Sequence, residues 1–340
     1  MKVLDLVVPG LLGPFSNDLP AYFSDELNQA EFKTLNTWLS RAKISELKAD
    51  GYYATLHSLI NPQCNLSVCQ LTAEFDQLML SSADEYLYRV DPVHFKAESD
   101  HAVLLGSQLL EIELVEAQQL IEAFNAHFIE DDIALFLGAA NRWYLKTMQP
   151  LQLSFNSVDF SLGRDIKHFM PEGEDALWWR KILNETQMLF FQHKVNQQRD
   201  ENRQLGINGL WIWDESFSSN ELPREYSIVY SDDAFACALA NKSGVKVKSA
   251  FDEKLQERSI LVIEEIYEAV CYGDVDAWLK ALREFCQTHL LEIQSLLNSK
   301  KISGVNIYPC DGRVFYIDRW QLLKIWKWVK TLDNYVTKVS

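Results

Sequence analysis

Residues 3–8 form an apolar run that Pro9-Gly10 closes at once, a pattern that predicts a buried first strand ending in a turn. Short apolar runs at 208–213 and 227–230 predict two further strands. Residues 233–241 then carry Ala and Leu at helical spacing until Lys242-Ser-Gly244 stops them. Residues 259–263, Ser-Ile-Leu-Val-Ile, are apolar from the second onward and predict a strand buried on both faces. Beyond them Trp278, Leu282, Phe285, Leu290, Ile293 and Leu297 recur at roughly the 3.6-residue helical period, which predicts one long helix over 274–297. Strands alternating with helices predict a parallel sheet wound with helices, completed by strand 3–8 and a helix around 25–47.

Between residues 85 and 205 the rhythm breaks. Short strand candidates at 86–90, 102–106, 110–114 and 133–137 surround an amphipathic helix at 115–127, and a strongly helical stretch at 174–203 closes the region. The expected architecture is therefore α/β. A wound, mostly parallel sheet is built from residues 1–84 and 206–340, and an α+β cap, 85–205, is inserted into it.

Composition narrows the function. The chain has 340 residues and is 48% hydrophobic, enough for one large core or two ordinary ones. No stretch approaches the roughly 18 consecutive apolar residues of a membrane span, and the first residues lack a signal-peptide layout, so the expectation is a cytoplasmic protein. A net charge of −16 argues against a nucleic-acid partner, because binding a polyanion without a basic patch forfeits counterion release. Cys64 and Cys69 form the one close cysteine pair, with no second pair or nearby His at ligand spacing, and all six cysteines read as reduced, buried hydrophobes.

Four ordered segments carry a family likeness: Asp91-Pro-Val-His-Phe95; Asn141-Arg-Trp-Tyr-Leu145; Leu183-Asn-Glu-Thr-Gln-Met188 with His193-Lys-Val-Asn-Gln-Gln-Arg199; and Asn208-Gly-Leu-Trp-Ile-Trp213. Together they resemble the RpfE-type regulatory proteins of proteobacteria, commonly labelled cofactor-independent phosphoglycerate mutases. That family in turn looks like a shortened relative of the archaeal-type mutases of the alkaline phosphatase superfamily. His193, Val195, Asn196, Arg199 and Asn208 match the superfamily pattern; Lys194 replaces a proline, and Asp214-Glu-Ser216 replaces a Gly-rich turn.

The resemblance implies two divalent metals, held by Asp and His at strand ends, and a Ser or Thr nucleophile. Here the first strand ends in Pro9-Gly10 where the enzymes have Asp-Gly. Tyr267 falls where an Asp is implied and Cys271 where a His is implied, and the final Asp-His is matched at best by Asp311-Gly312. Ser58 and Ser67 are the arguable nucleophiles. Glu264, Glu265 and Glu268 with Asp274 could re-form a carboxylate metal site, although a solvated acidic cluster explains them as well.

The reading that results is a reduced alkaline phosphatase-like fold acting as a non-catalytic regulatory or ligand-binding protein without a cofactor. An active metal-dependent phosphoglycerate mutase or phosphoesterase is the alternative. The candidate pocket, for a small anionic ligand, is lined by Gly10, Asn184, His193, Asn196, Arg199, Asn208 and Glu264. His193, Asn196 and Arg199 share one helix face at i, i+3 spacing, which suits either an anion or a structural pin onto the strand at Asn208. Arg142 is expected to pair with Asp91 or Asp165. Residues 319–330 hold Lys324, Lys327 and Lys330 on one helical face and Leu322, Ile325 and Val329 on another. A terminal helix packing on its own sheet is the leading expectation for them, and a helix lying on a membrane surface or a scaffold docking to an acidic protein partner the alternative.

Overall fold

The computed structural model describes residues 2–15, 19–60, 67–78, 85–98, 101–215, 226–251 and 258–337; Cys64 lies outside them. The N-terminal part supplies β1 (Val3–Val7), α1 (Phe23–Leu27), α2 (Lys33–Arg41), β2 (Lys43–Asp50) and α3 (Tyr52–Ile60). The middle part runs α4 (Val68–Phe75), β3 (Tyr86–Ala97), β4 (Ala102–Leu105), α5 (Leu114–His127), β5 (Ile133–Ala139), β6 (Arg142–Thr147), α6 (Val158–Ser161), α7 (Ala176–Gln192), α8 (Lys194–Glu201) and β7 (Gly209–Glu215). The last part continues with β8 (Ile228–Tyr230), α9 (Ala234–Lys242), β9 (Lys246–Lys248), β10 (Arg258–Val262), α10 (Tyr267–Cys271), α11 (Val275–Gln287), α12 (His289–Asn298), β11 (Gly304–Tyr308), β12 (Asp311–Asp318) and α13 (Arg319–Leu322).

The chain divides into two compact units, Met1–Cys64 with Glu221–Ser340, and Asn65–Asn220. In the first unit a seven-stranded sheet has the order β2-β12-β11-β1-β10-β8-β9. The five strands from β11 to β9 run parallel, and β12 and β2 add antiparallel at one edge. This is the mostly parallel sheet the alternating pattern implies. Strand β1 sits at its centre because VLDLV has little polar surface to leave in water. Alternation then sends Leu4, Leu6 and Val8 into a core shared with Trp38 of α2, Trp278 and Phe285 of α11, and Leu290 and Ile293 of α12. Asp5 and Val7 face the other way. Asp5 is buried and accepts from Asn306 Nδ2 at 2.6 Å, Tyr226 OH at 2.8 Å and Tyr308 OH at 3.2 Å, which makes a carboxylate tolerable in mid-sheet.

The second unit holds a five-stranded antiparallel sheet in which β3 is the hub: β6 and β7 flank its first part, and β4 pairs with its last four residues. Helices α5 and α7 contact this unit's strands β5 and β7.

Several expected elements change. The strand around 208–213 joins this second sheet as β7, opposite β3 with Val90 against Ile212, instead of the wound sheet; its apolar face could serve either, and only pairing decides. The helix expected over 274–297 is two, α11 and α12. Thr288 leaves helical geometry at φ −108° and ψ −83°, and its hydroxyl bonds the Glu284 carbonyl at 2.7 Å. The helix expected over 174–203 breaks at His193, whose backbone is extended. Around 25–47, helix covers only α1, a 3₁₀ turn and α2, and residues from Lys43 are the edge strand β2. At the C-terminus only Arg319–Leu322 is helical, and Trp320, Leu323, Ile325, Trp326 and Trp328 are exposed instead of packed on the sheet.

Candidate functional site

Ligands in wound sheets gather outside the carboxyl ends of the parallel strands. In the first unit β10 and β8 are neighbours, and just past their ends stand Glu264 and Asp233. Asp233 caps α9, its Oδ1 accepting from Ala236 N at 2.7 Å, because an acceptor there satisfies an amide with no partner inside the helix. The same Oδ1 accepts from the hydroxyl of Tyr52 at 2.8 Å. Tyr52 opens α3 after Gly51, which turns the chain at φ +85°, and its buried ring lies 6.1 Å from that of Tyr267.

Tyr52 also stands in hydrogen-bonding reach of Glu264. One hydroxyl proton serves one carboxylate at a time. Burial first, then the negative charges of Asp233, Glu265 and Asp232, push the Glu264 carboxyl up to about 8, against a smaller downward pull from Tyr52. Burial and the two carboxylates push the Tyr52 phenol well above its ordinary range. The neighbouring Cys237 thiol rises to about 11 for the same reasons, burial and then Asp233. The edge thus sets a buried carboxyl of raised pKa, Glu264, beside Asp233, which accepts from the Tyr52 phenol. Among the described residues, no three His, Cys, Asp or Glu side chains are placed to hold a metal ion together.

Beside this group the turn after β1 is filled by protein. Gly10 has φ +76°, a Cβ there would meet Val270 Cγ2 at 3.0 Å and Tyr267 Cα at 3.3 Å, and its carbonyl accepts from Trp278 Nε1 at 2.9 Å. Gly10 is needed for the left-handed turn and for the close approach of α10.

Of the sequence-derived candidates, Gly10 and Glu264 belong to the first unit and Asn184, His193, Asn196, Arg199 and Asn208 to the second. Asn184 is exposed on α7. The His193 ring caps α8, Nδ1 accepting from Val195 N at 3.3 Å, and burial lowers its pKa below the ordinary 6.5. Asn196 donates to Phe190 O at 2.8 Å and Ile207 O at 2.7 Å and accepts from Ile207 N at 2.7 Å. Asn208 bridges both backbone groups of Phe95, at 2.7 and 3.1 Å. Arg199, 1% exposed, donates to Leu205 O at 2.8 Å, to Glu116 Oε2 at 2.5 Å and to Leu110 O. The polar atoms of this trio therefore pin the chain between α8 and β7 to α5 and β3.

Other buried acids of the second unit are matched in the same way. Arg142 makes a two-pronged bond to Asp76, at 2.7 and 2.5 Å, with Tyr144 OH on the same carboxylate at 2.7 Å. That corrects the expected pairing: Asp91 takes Arg89 at 2.7 Å and Trp213 Nε1 at 2.8 Å, and Asp165 caps a 3₁₀ turn through Lys167 N. Ser67, 1% exposed, is the N-cap of α4 and donates to Asp214 at 3.2 Å, while Ser58 is half-buried within α3.

Tyr52 and Asp233 escaped the sequence reading. The available signal was an acid one to three residues past each of two adjacent apolar strands, at Asp232, Asp233, Glu264 and Glu265. Tyr52 comes from the far edge of the sheet and has no signal of its own.

No family model matches the chain, and no curated protein matches it. Among solved structures, it is similar to a cofactor-independent phosphoglycerate mutase from Thermoplasma acidophilum DSM 1728, at 13% identity over 100% of this chain and 96% of that one, with a TM-score of 0.43. It is also similar to the PH0037 protein from Pyrococcus horikoshii, at 13% identity over 93% and 87% of the two chains, with a TM-score of 0.46.

Proposed function

We propose that this chain is a non-catalytic, phosphoglycerate mutase-like regulatory protein of the kind the RpfE-type motifs imply, with the carboxyl edge of its parallel sheet as the surviving ligand site. The burial of Glu264 close to the charge of Asp233, which itself accepts from Tyr52 at 2.8 Å, carries the reading. Two-metal phosphoryl transfer needs several ionised ligands around each ion. Here burial and the charge of Asp233 raise the Glu264 carboxyl to about 8, which disfavours the ionised form a metal ligand needs, and Tyr267, at the position of an implied Asp, offers a phenol ring packed on Tyr52. Pro9 stands where the first strand would deliver a metal-binding Asp, and Gly10 after it begins a turn closed against Val270. The acids at this edge make its field negative, so a ligand there meets hydrogen-bond acceptors, a surface suited to an amine or a neutral polar group.

The test is a direct assay with metal analysis. Protein passed through gel filtration is expected to retain no stoichiometric Mn²⁺, Zn²⁺ or Mg²⁺. It is expected not to interconvert 3- and 2-phosphoglycerate with or without added Mn²⁺. Turnover that depends on Mn²⁺ and vanishes in Glu264→Gln would restore the active mutase reading.

A further inference from the structure

In an acidic protein of net charge −16, residues 319–330 carry Arg319, Lys324, Lys327 and Lys330 and no acid. Between those cations the apolar side chains stand in water: Trp320 is 77% exposed, Leu323 61%, Ile325 78%, Trp326 73% and Trp328 92%. A tryptophan keeping nine-tenths of its surface projects from the body instead of lying in a groove. Water-exposed aromatic surface on this scale is unfavourable unless something covers it.

The segment is held at both ends. Asp318 caps α13 through Gln321 N at 2.7 Å, and Arg41 donates to Leu322 O. At the far end Lys330 N donates to Ser40 Oγ at 2.9 Å, and Leu332 is completely buried. Between the pins, turn bonds from Lys324 N to Gln321 O and from Lys327 N to Lys324 O shape the chain without burying a side chain. The result is a fixed loop that displays alternating indoles and ammonium groups.

We infer that this loop is a membrane-surface anchor, inserting Ile325, Trp326 and Trp328 into the interface of a bilayer rich in anionic lipid while the lysines contact headgroup phosphates. Two observations favour a bilayer over a protein partner. The apolar residues protrude instead of forming a shaped cavity, and a lipid interface asks for no shape complementarity. Indole rings alternating with lysines are also the chemistry of the headgroup boundary, where the rings sit at the polar–apolar junction and the cations gain from the negative surface. The acidic remainder of the molecule is repelled by the same surface, so only this loop can face it. Among the described residues no helix is long and apolar enough to cross a membrane, so the contact is peripheral.

The test is co-sedimentation of the full-length protein with vesicles of phosphatidylcholine alone and of phosphatidylserine-rich mixtures. Wild type is expected to bind the serine lipid vesicles, less so as salt rises, and to leave the neutral ones in solution. Lys324→Ala and Lys327→Ala are each expected to weaken partitioning about fivefold, and Trp326→Ala with Trp328→Ala to abolish it without changing the melting temperature. Quenching of wild-type tryptophan fluorescence by brominated lipid supplies a readout that needs no variant. Absence of binding at low salt, equal binding to neutral vesicles, or binding untouched by the Trp and Lys changes overturns the proposal. So does self-association, or capture of polyglutamate in place of vesicles, through the same residues.

Discussion

In the second unit Asp76 meets Arg142, Asp91 meets Arg89 and Glu116 meets Arg199, whereas at the carboxyl edge of the first unit Glu264 is buried beside Asp233, whose Oδ1 accepts from Tyr52. The main charges acting on Glu264, those of Asp233, Glu265 and Asp232, are negative. A matched buried pair positions backbone and is costly to break, because the survivor becomes an uncompensated charge. A buried acid close to other acids is costly to keep ionised, and folded proteins keep such groups chiefly where they do something. The ion pairs of the second unit hold β3, β6, α4 and α5 in register, whereas burial and neighbouring acids raise the Glu264 carboxyl of the first unit towards neutrality.

The sharpest way to break this contrast is Arg199→Ala. It strands Glu116 and two backbone carbonyls, and urea unfolding should show a loss of about 3–5 kcal/mol. A near-neutral result would remove Arg199 from the scaffold and return it to ligand binding.

Glu264→Gln should act in the opposite direction and only at higher pH. The unfolded chain ionises this glutamate near its ordinary 4.5 and the folded protein only near 8, so between these values the native state holds the extra proton and wild-type stability falls as pH rises. The variant should match wild type near the lower value and exceed it above the upper one by about 2–3 kcal/mol, allowing for residual solvent contact. Thermal melts across that range check it, and a difference independent of pH would sink the acid-pair interpretation.

Asn196→Ala removes three backbone bonds at once and should cost about 1–3 kcal/mol, with faster amide exchange at Ile207. Trp328→Ala, at a nearly fully exposed position, should leave stability unchanged within about 0.5 kcal/mol in calorimetry. A larger loss would mean the ring packs on something.

Much of the scaffold was legible before any coordinates, for reasons of local physics. The short apolar runs in β1 and β10, bounded by turn signals, read as strands buried on both faces, and the period of Trp278, Leu282 and Phe285 as a helix with one buried face. The helix breaks were not legible, since Thr288 and His193 are ordinary residues in apolar-periodic stretches and leave helical geometry through bonds to their own neighbourhood. The chemistry of His193, Asn196, Arg199 and Asn208 was visible as a cluster, but a cation, an amide and an imidazole at helical spacing read alike whether they face a ligand or a carbonyl.

What the sequence alone determined about this protein is therefore its alternation: which residues must be buried, where strands give way to helices, and that an acidic chain carries one basic aromatic segment near its end. Tertiary structure decided every pairing. It placed β7 against β3, gave Arg142 to Asp76, spent Arg199 on backbone carbonyls, brought Tyr52 across to Asp233 beside Glu264, and left Trp328 in water. The physical reason is range. Hydrophobic period is written in neighbours along the chain, whereas hydrogen bonds and charge act over a few ångströms in space and depend on residues that only folding brings together.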